Sequence, residues 1–379
     1  MKKILSTFVA LLFISTLASA FSWSGLVDNT TKGSTSTMES FGLYQTNGIY
    51  LSMNVPLSKT GNLSFVTEGM YKYTLTANSK AGNPVFTNIA DLSLFKIGGN
   101  WKVENNVLTL NAGRFSYSDL SSVIFSQASD GLYFTYDSTS FKVSLYAGYT
   151  GLINSLNVTM LDPSSTSNSQ FYNLCPGYIP FAADFAYKTL FGANSVTLQA
   201  IYFLDPKREL TDKFYGTLSL SGPISSIASY NLLASLGSEN FKNLMLYSSA
   251  NFSFYLGNFA VVSAGAEYAS GQNGPFTAFR TITSRTAYYA NGGMETSSIL
   301  MPKVSAMFVF GKLYANITEK VVFSLPGSEI TGQGSDTSLS LICNVMSDVQ
   351  IGTDINVYAD FTSSAMNYYA ASLKASLAF

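Results

Sequence analysis

The last twelve residues read Tyr368-Tyr369-Ala370-Ala371-Ser372-Leu373-Lys374-Ala375-Ser376-Leu377-Ala378-Phe379. In an extended strand successive side chains point to opposite faces. One face then carries Tyr369, Ala371, Leu373, Ala375, Leu377 and Phe379, and the other Tyr368, Ala370, Ser372, Lys374 and Ser376. An apolar face backed by one with a lysine suits a wall that has lipid outside and water inside.

The same period of two recurs upstream. Residues 349 to 361 set Val349, Ile351, Ile355, Val357, Ala359 and Phe361 against Gln350, Asp354, Asn356 and Asp360. Residues 62 to 76 oppose Leu63, Phe65, Tyr71, Tyr73 and Leu75 to Ser64, Glu68, Lys72 and Thr74, and residues 141 to 150 oppose Phe141, Val143, Leu145, Ala147 and Tyr149 to Lys142, Ser144, Tyr146 and Thr150. Residues 89 to 101 alternate badly.

Composition points the same way. The chain has 379 residues, 47% hydrophobic and 14% aromatic, but only 11% charged, against about 25% charged in an ordinary soluble domain. After residue 20 no run of about 20 apolar residues could cross a bilayer as a helix. The remaining spanning structure is a closed β-barrel, since a strand edge left in lipid would carry unpaired backbone groups.

Residues 1–20 read as an export signal. Lys2 and Lys3 precede the apolar stretch Ile4 to Leu17, and Ala18-Ser19-Ala20 supplies small residues for cleavage. Residues 21–379 then form one barrel with surface loops. The formal charge is −1, and losing Lys2 and Lys3 leaves 21 − 2 = 19 basic against 22 acidic residues, which excludes a basic face for nucleic acid. Cys175 and Cys343 are expected at opposite ends of the barrel and unpaired.

Turn signals divide residues 21–379 into about eighteen antiparallel strands, with sixteen also possible, among them 21 to 29, 38 to 56, 88 to 102 and 336 to 346. Short connections alternate with long ones, residues 238 to 240 being the one short member of the long set. That alternation places both termini in the periplasm and makes 151–179 and 271–300 surface loops. No plug and no separate domain is expected.

Histidine is absent from the chain, which removes Ser-His and Asp-His hydrolytic sites and most catalytic zinc sites. Inward carboxylates are the ordinary lining of an aqueous channel, so no enzyme and no cofactor is expected. Glu68, Lys72, Lys142, Asp184, Lys188, Glu267, Asp354, Asp360 and Lys374 project inward by the alternation, either lining the lumen or stiffening the wall as local ion pairs. Arg114, Asp119 and Asp130 could form a charged constriction if residues 117–129 fold inward, or an external cap if they do not. Tyr146, Tyr215, Tyr247, Tyr255, Tyr358 and Tyr368 are inward aromatics that could pack structurally or stack on a sugar.

The terminal strand, with Tyr369, Leu373, Leu377 and Phe379 on one face, resembles the signal by which bacterial outer-membrane proteins are recognised by the barrel-assembly machinery. Ala112-Gly113-Arg114-Phe115, Asp119 and Ala128-Ser129-Asp130-Gly131-Leu132 resemble outer-membrane porins and export channels of the alginate class over about twenty residues. The resemblance implies a passive channel for small hydrophilic solutes in the outer membrane, with a homotrimer by analogy. Two competing readings are a surface adhesin or antigen displaying loops 151–179 and 271–300, and a specific oligosaccharide channel.

Overall fold

The computed structural model describes residues 21–36, 40–80, 82–158, 160, 171–272, 274–283, 298–325 and 329–379. The expected export signal at 1–20 and the middles of the two longest loops lie outside them. Eighteen antiparallel strands form one sheet that closes on itself. They are β1 (Ser22–Ser36), β2 (Ser40–Pro56), β3 (Leu63–Asn78), β4 (Val85–Val103), β5 (Asn106–Ser118), β6 (Ser126–Asp137), β7 (Phe141–Tyr149), β8 (Ile179–Tyr187) and β9 (Ser195–Leu204). The second half comprises β10 (Lys213–Ser225), β11 (Ala228–Glu239), β12 (Asn243–Leu256), β13 (Ala260–Ala269), β14 (Ile299–Phe310), β15 (Leu313–Ser324), β16 (Thr331–Asn344), β17 (Val349–Asp360) and β18 (Tyr368–Ala378).

Each strand pairs with its sequence neighbour, and β18 returns to β1 over Leu26↔Ala378 to Ser36↔Tyr368. Closure leaves no exposed edge. Gly25 and Phe379 exchange backbone hydrogen bonds of 2.7 and 3.0 Å, so the two ends of the chain meet at one rim. This terminal rim carries the tight turns, and the opposite loop rim carries the long connections.

The first strand is longer than its sequence suggests. Asn29-Thr30-Thr31-Lys32-Gly33-Ser34-Thr35-Ser36 reads as turn-forming, yet these residues pair with β18 on one side and β2 on the other. With β2 starting at Ser40, the first loop-rim connection is short as well, so residues 238 to 240 do not mark the one exception.

The poor alternation of residues 89 to 101 has a local cause. Glu68 faces Leu94 and Gly69 faces Leu92, which leaves Ser93 as an extra residue in β4. A bulge of one residue reverses the faces beyond it. Ile89 is buried inside the barrel, whereas Phe95 and Ile97, of the same parity, are exposed outside it.

The interior also differs from the plugless lumen expected. No separate domain fills it, but the loop-rim connections turn inward and build an apolar cluster. Val123, Ile124 and Phe125 of the β5–β6 connection and Phe279 and Ile282 of the β13–β14 connection pack with inward residues of the wall, including Phe203, Tyr215 and Met245.

Candidate functional site

β5 and β6 run together past their neighbours. The last pair between β4 and β5 is Phe95↔Arg114, and the first between β6 and β7 is Asp130↔Tyr149. Beyond those points the hairpin pairs only with itself, through Phe115↔Ser129 to Ser118↔Ser126. It is therefore free to tip into the barrel.

Phe115 and Tyr117 project inward and are buried, and Tyr117 stacks on Tyr146 of β7 with ring centroids 3.9 Å apart. At the tip Leu120 donates its backbone N–H to Gln199 of β9 (2.9 Å), and the ring of Phe125 lies 5.4 Å from that of Phe203. The loop of residues 117–129 thus lies against the inner wall.

Asp119 holds the tip's shape. Its carboxylate accepts from the backbone N–H groups of Ser121 (2.8 Å), Ile124 (3.1 Å) and Phe125 (2.8 Å), and from the Ser121 hydroxyl. Burial pushes its pKa above the ordinary carboxylate range against the pull of those donors. It makes no ion pair with Arg114 among the described residues.

Arg114 and Asp130 do meet, but in a seam of the wall. Arg114 sits where β5 leaves β4, and its guanidinium bridges the opening. It contacts Asp130 through two bonds of 3.0 Å, Asp91 of β4 at 3.0 Å, the Leu92 carbonyl at 3.2 Å and the Leu152 carbonyl at 2.9 Å. Its side chain is 11% exposed and that of Asp91 4%. The fork geometry of a guanidinium satisfies all three strands and the incoming loop at once. The sequence-level triad of Arg114, Asp119 and Asp130 is therefore two separate devices, and Asp91, hidden by the bulge at Ser93, is the missing partner.

Two further loops close over the hairpin. Residues 150–158 and 171–178 turn inward, with Lys72 of β3 donating to the Asn157 side chain (2.9 Å) and Tyr178 packing edge-on against Phe203. The Tyr215 hydroxyl donates to the Arg280 carbonyl (2.6 Å), and Phe279 packs on Tyr215 and Tyr247. Ile282 and Thr283 both donate backbone N–H groups to the Ile124 carbonyl (2.8 and 3.2 Å), which ties the β13–β14 loop to the hairpin tip. The described parts of 151–179 and 271–300 are thus directed into the barrel.

Most of the sequence-predicted lumen residues form pairs on the inner wall. Glu267 meets Lys303 (2.8 Å) and the Tyr247 hydroxyl (2.9 Å), Asp184 accepts from Gln199 (2.8 Å), Asp354 pairs with Lys374, and Glu68 accepts from Ser93. Lys142 lies on the same inward face as Ser144 and Tyr146. Two differ from expectation. Lys188 follows β8 at the terminal rim and pairs with Asp137, and Asp360 ends β17, where it accepts from the backbone of Thr362 and Ser363 (both 2.8 Å). Alternation places a residue on a face, but not at a height.

Sequence reading missed Lys32, whose ammonium lies 5.7 Å from the Tyr368 ring centroid, and the Lys320–Asp336 pair (3.3 Å). The signal for Lys320–Asp336 was their opposition on β15 and β16. Five of the six inward tyrosines named above are buried against the protein's own groups, with Tyr255 alone exposed, so they offer no open stacking path. Cys175 and Cys343 are both free thiols, the first buried in the β7–β8 connection and the second in β16 near the terminal rim.

The inner and outer faces together describe a closed eighteen-stranded barrel with loops packed into one side of its interior. No family model and no curated relative matches the sequence. Solved structures do. OccK9 (OpdG) of Pseudomonas aeruginosa superposes with a TM-score of 0.66 at 11% identity, covering 96% of this chain and 99% of the other. OccK5 (OpdH) of the same organism gives 0.64 at 12%, covering 95% and 98%. OpdK, solved with vanillate, gives 0.62 at 9%, covering 94% and 98%. At this identity the likeness establishes the fold.

Proposed function

We propose that the chain is a passive outer-membrane channel for small hydrophilic solutes. The observation that carries this reading is the division of the inner wall. From β7 to β15 it is covered by the inward loops through apolar contacts, whereas from β16 round to β1 it bears Lys32, Asp354 and Lys374 outside that cluster. Charged groups of both signs on a water-compatible face suit a solute path with weak charge preference.

In this reading residues 1–20 are removed on export and 21–379 are the single barrel domain. Both termini face the periplasm, since the tight turns share their rim. Tyr369, Leu373, Leu377 and Phe379 present the outward strand that the assembly machinery reads. The tipped hairpin narrows the lumen, with Asp119 shaping the tip and Arg114, Asp91 and Asp130 holding its base. Glu68, Lys142, Asp184 and Glu267 stiffen the wall, and no catalytic step is assigned to any of these groups.

Vanillate, bound by a structural neighbour, makes small aromatic carboxylates reasonable first solutes to try. Planar-bilayer recording of the purified protein tests the function. Stepwise conductance that a carboxylate solute interrupts is expected, and an electrically silent protein at every voltage overturns the channel.

A further inference from the structure

The outer wall is not uniform around the barrel. On β7 to β10 the outward positions hold only aliphatic, aromatic and glycine residues, the composition a lipid-facing wall requires. The opposite wall, the contiguous strands β15-β16-β17-β18-β1-β2, holds a carboxylate and a group of carboxamides.

Glu319 is that carboxylate. Its neighbour Lys320 reaches inward to buried Asp336, so Glu319 points out of the barrel. It stands opposite Val304 of β14, which is 53% exposed, and follows Ile317, 45% exposed. Its hydrogen bond comes from the Thr337 hydroxyl of β16, and it has no ion pair among the described residues. Basic residues on the strands, including Lys32, Lys72, Lys303, Lys320 and Lys374, lie on the inner face.

The carboxamides are Asn29, Asn47 and Gln45. Trp23, Val27, Ile49 and Leu51 are exposed on the outer face, and Asn29, Asn47 and Gln45 share their parity along uninterrupted register. Asn29 donates to Asn47 (2.7 Å), but the Gln45 side chain has no hydrogen bond among the described residues. Apolar residues flank the group on both sides along β2, with Ile49 below and Leu43 and Phe41 above.

These groups stand at matching heights. Glu319 is six residues above Leu313, and Asn29 six above Trp23, both at the terminal rim. At about 3.3 Å per residue and a tilt of about 40°, that is roughly 15 Å into an apolar belt about 25 Å tall. Polar groups facing hydrocarbon there cost several kcal/mol each unless another protein satisfies them. An ionisable residue at such a depth marks a partner.

We propose that the β15-to-β2 sector is a contact with a second copy of this chain, in which Glu319 of one copy accepts hydrogen bonds from the Asn29, Gln45 and Asn47 carboxamides of the next. The acceptor and its donors complement each other in charge and depth, and β16 to β18 separate them within one chain. Acceptor and donors lie at opposite ends of the sector, so each copy presents one end of it to the other end on its neighbour.

Native mass spectrometry of the full-length exported protein, extracted in mild detergent, reads this directly. Wild type is expected as a multiple of the single chain and Glu319→Gln to keep it, whereas Glu319→Arg and the triple variant Asn29→Leu, Gln45→Leu, Asn47→Leu are expected as single chains. Heat-modifiable migration on a denaturing gel confirms that each barrel is closed. The triple variant, which makes the outer face more apolar, decides the matter if Glu319→Arg does not fold. A single-chain wild type, with or without bound lipopolysaccharide, overturns the proposal, as does a particle made with a different protein or a folded triple variant that stays assembled.

Discussion

The two halves of the inner wall use opposite chemistry within one sheet. From β7 to β15 inward positions such as Tyr146, Phe203, Tyr215, Met245 and Met301 are buried beneath the loops. From β16 to β1 the Lys374 side chain remains 51% exposed beside Asp354, and Lys32 stands over Tyr368. Both halves obey the same alternation, so a polar strand face does not by itself define a pore. What the loops cover decides which inward faces remain wet.

The largest effect should come from loosening the covered half. Replacing Phe125 and Phe279 together by alanine removes about 3–5 kcal/mol of packing at each buried site. The loops should then leave the wall, and single-channel conductance should rise. Unchanged conductance would show that these loops do not limit the passage.

The seam joins the halves and should be nearly as sensitive. Arg114→Met leaves Asp91, 4% exposed, without its cation, a loss of about 3–5 kcal/mol for a broken buried pair. Thermal unfolding in detergent should show the drop, and adding Asp91→Asn should restore most of it. Equal stability of the single and double variants would remove Arg114 from this role.

A chemical probe should report the covered half without altering it. Burial pushes the Cys175 thiol up to about 12, so the reactive thiolate is scarce below that pH and grows as pH rises towards it. With Cys343 replaced by serine, maleimide labelling at pH 8 should be slow, and Phe279→Ala should speed it. Fast labelling of the otherwise unaltered chain would show an open loop.

The smallest effect belongs to the open half. Lys32→Glu should shift the reversal potential in a salt gradient towards cations, while Lys303→Gln, beside Glu267 in the covered half, should shift it less. Lys32→Glu should change stability by no more than about 1 kcal/mol, the scale of exposed charge interactions. Lys303→Gln leaves Glu267, 5% exposed, without its cation and should cost more.

Most of the strand order was legible because a wall with an apolar outer face and a polar inner one demands alternation along most of each strand. The terminal strand's Lys374 and Leu373 lie on the faces their spacing assigns. β1 was misread beyond Asn29 because Gly33 and its Ser and Thr neighbours favour turns, and pairing on both sides outweighs that preference. Ser93 hid Asp91 by changing the phase of β4, so the best-connected ion cluster was legible only in part. Val123, Ile124 and Phe125 lie in a serine-rich loop, and the contacts of this segment with Phe203 and Ile282 span distances in sequence that periodicity does not reach.

The path itself can be probed by single-channel recording with a thiol-reactive blocker, in a background with Cys175 and Cys343 replaced by serine. A cysteine at position 374, in the open half, should let the blocker cut the current, and one at position 235, where Ser235 is buried in the covered half, should not. Block at 235 with none at 374 would contradict the division of the lumen on which this account of the channel depends.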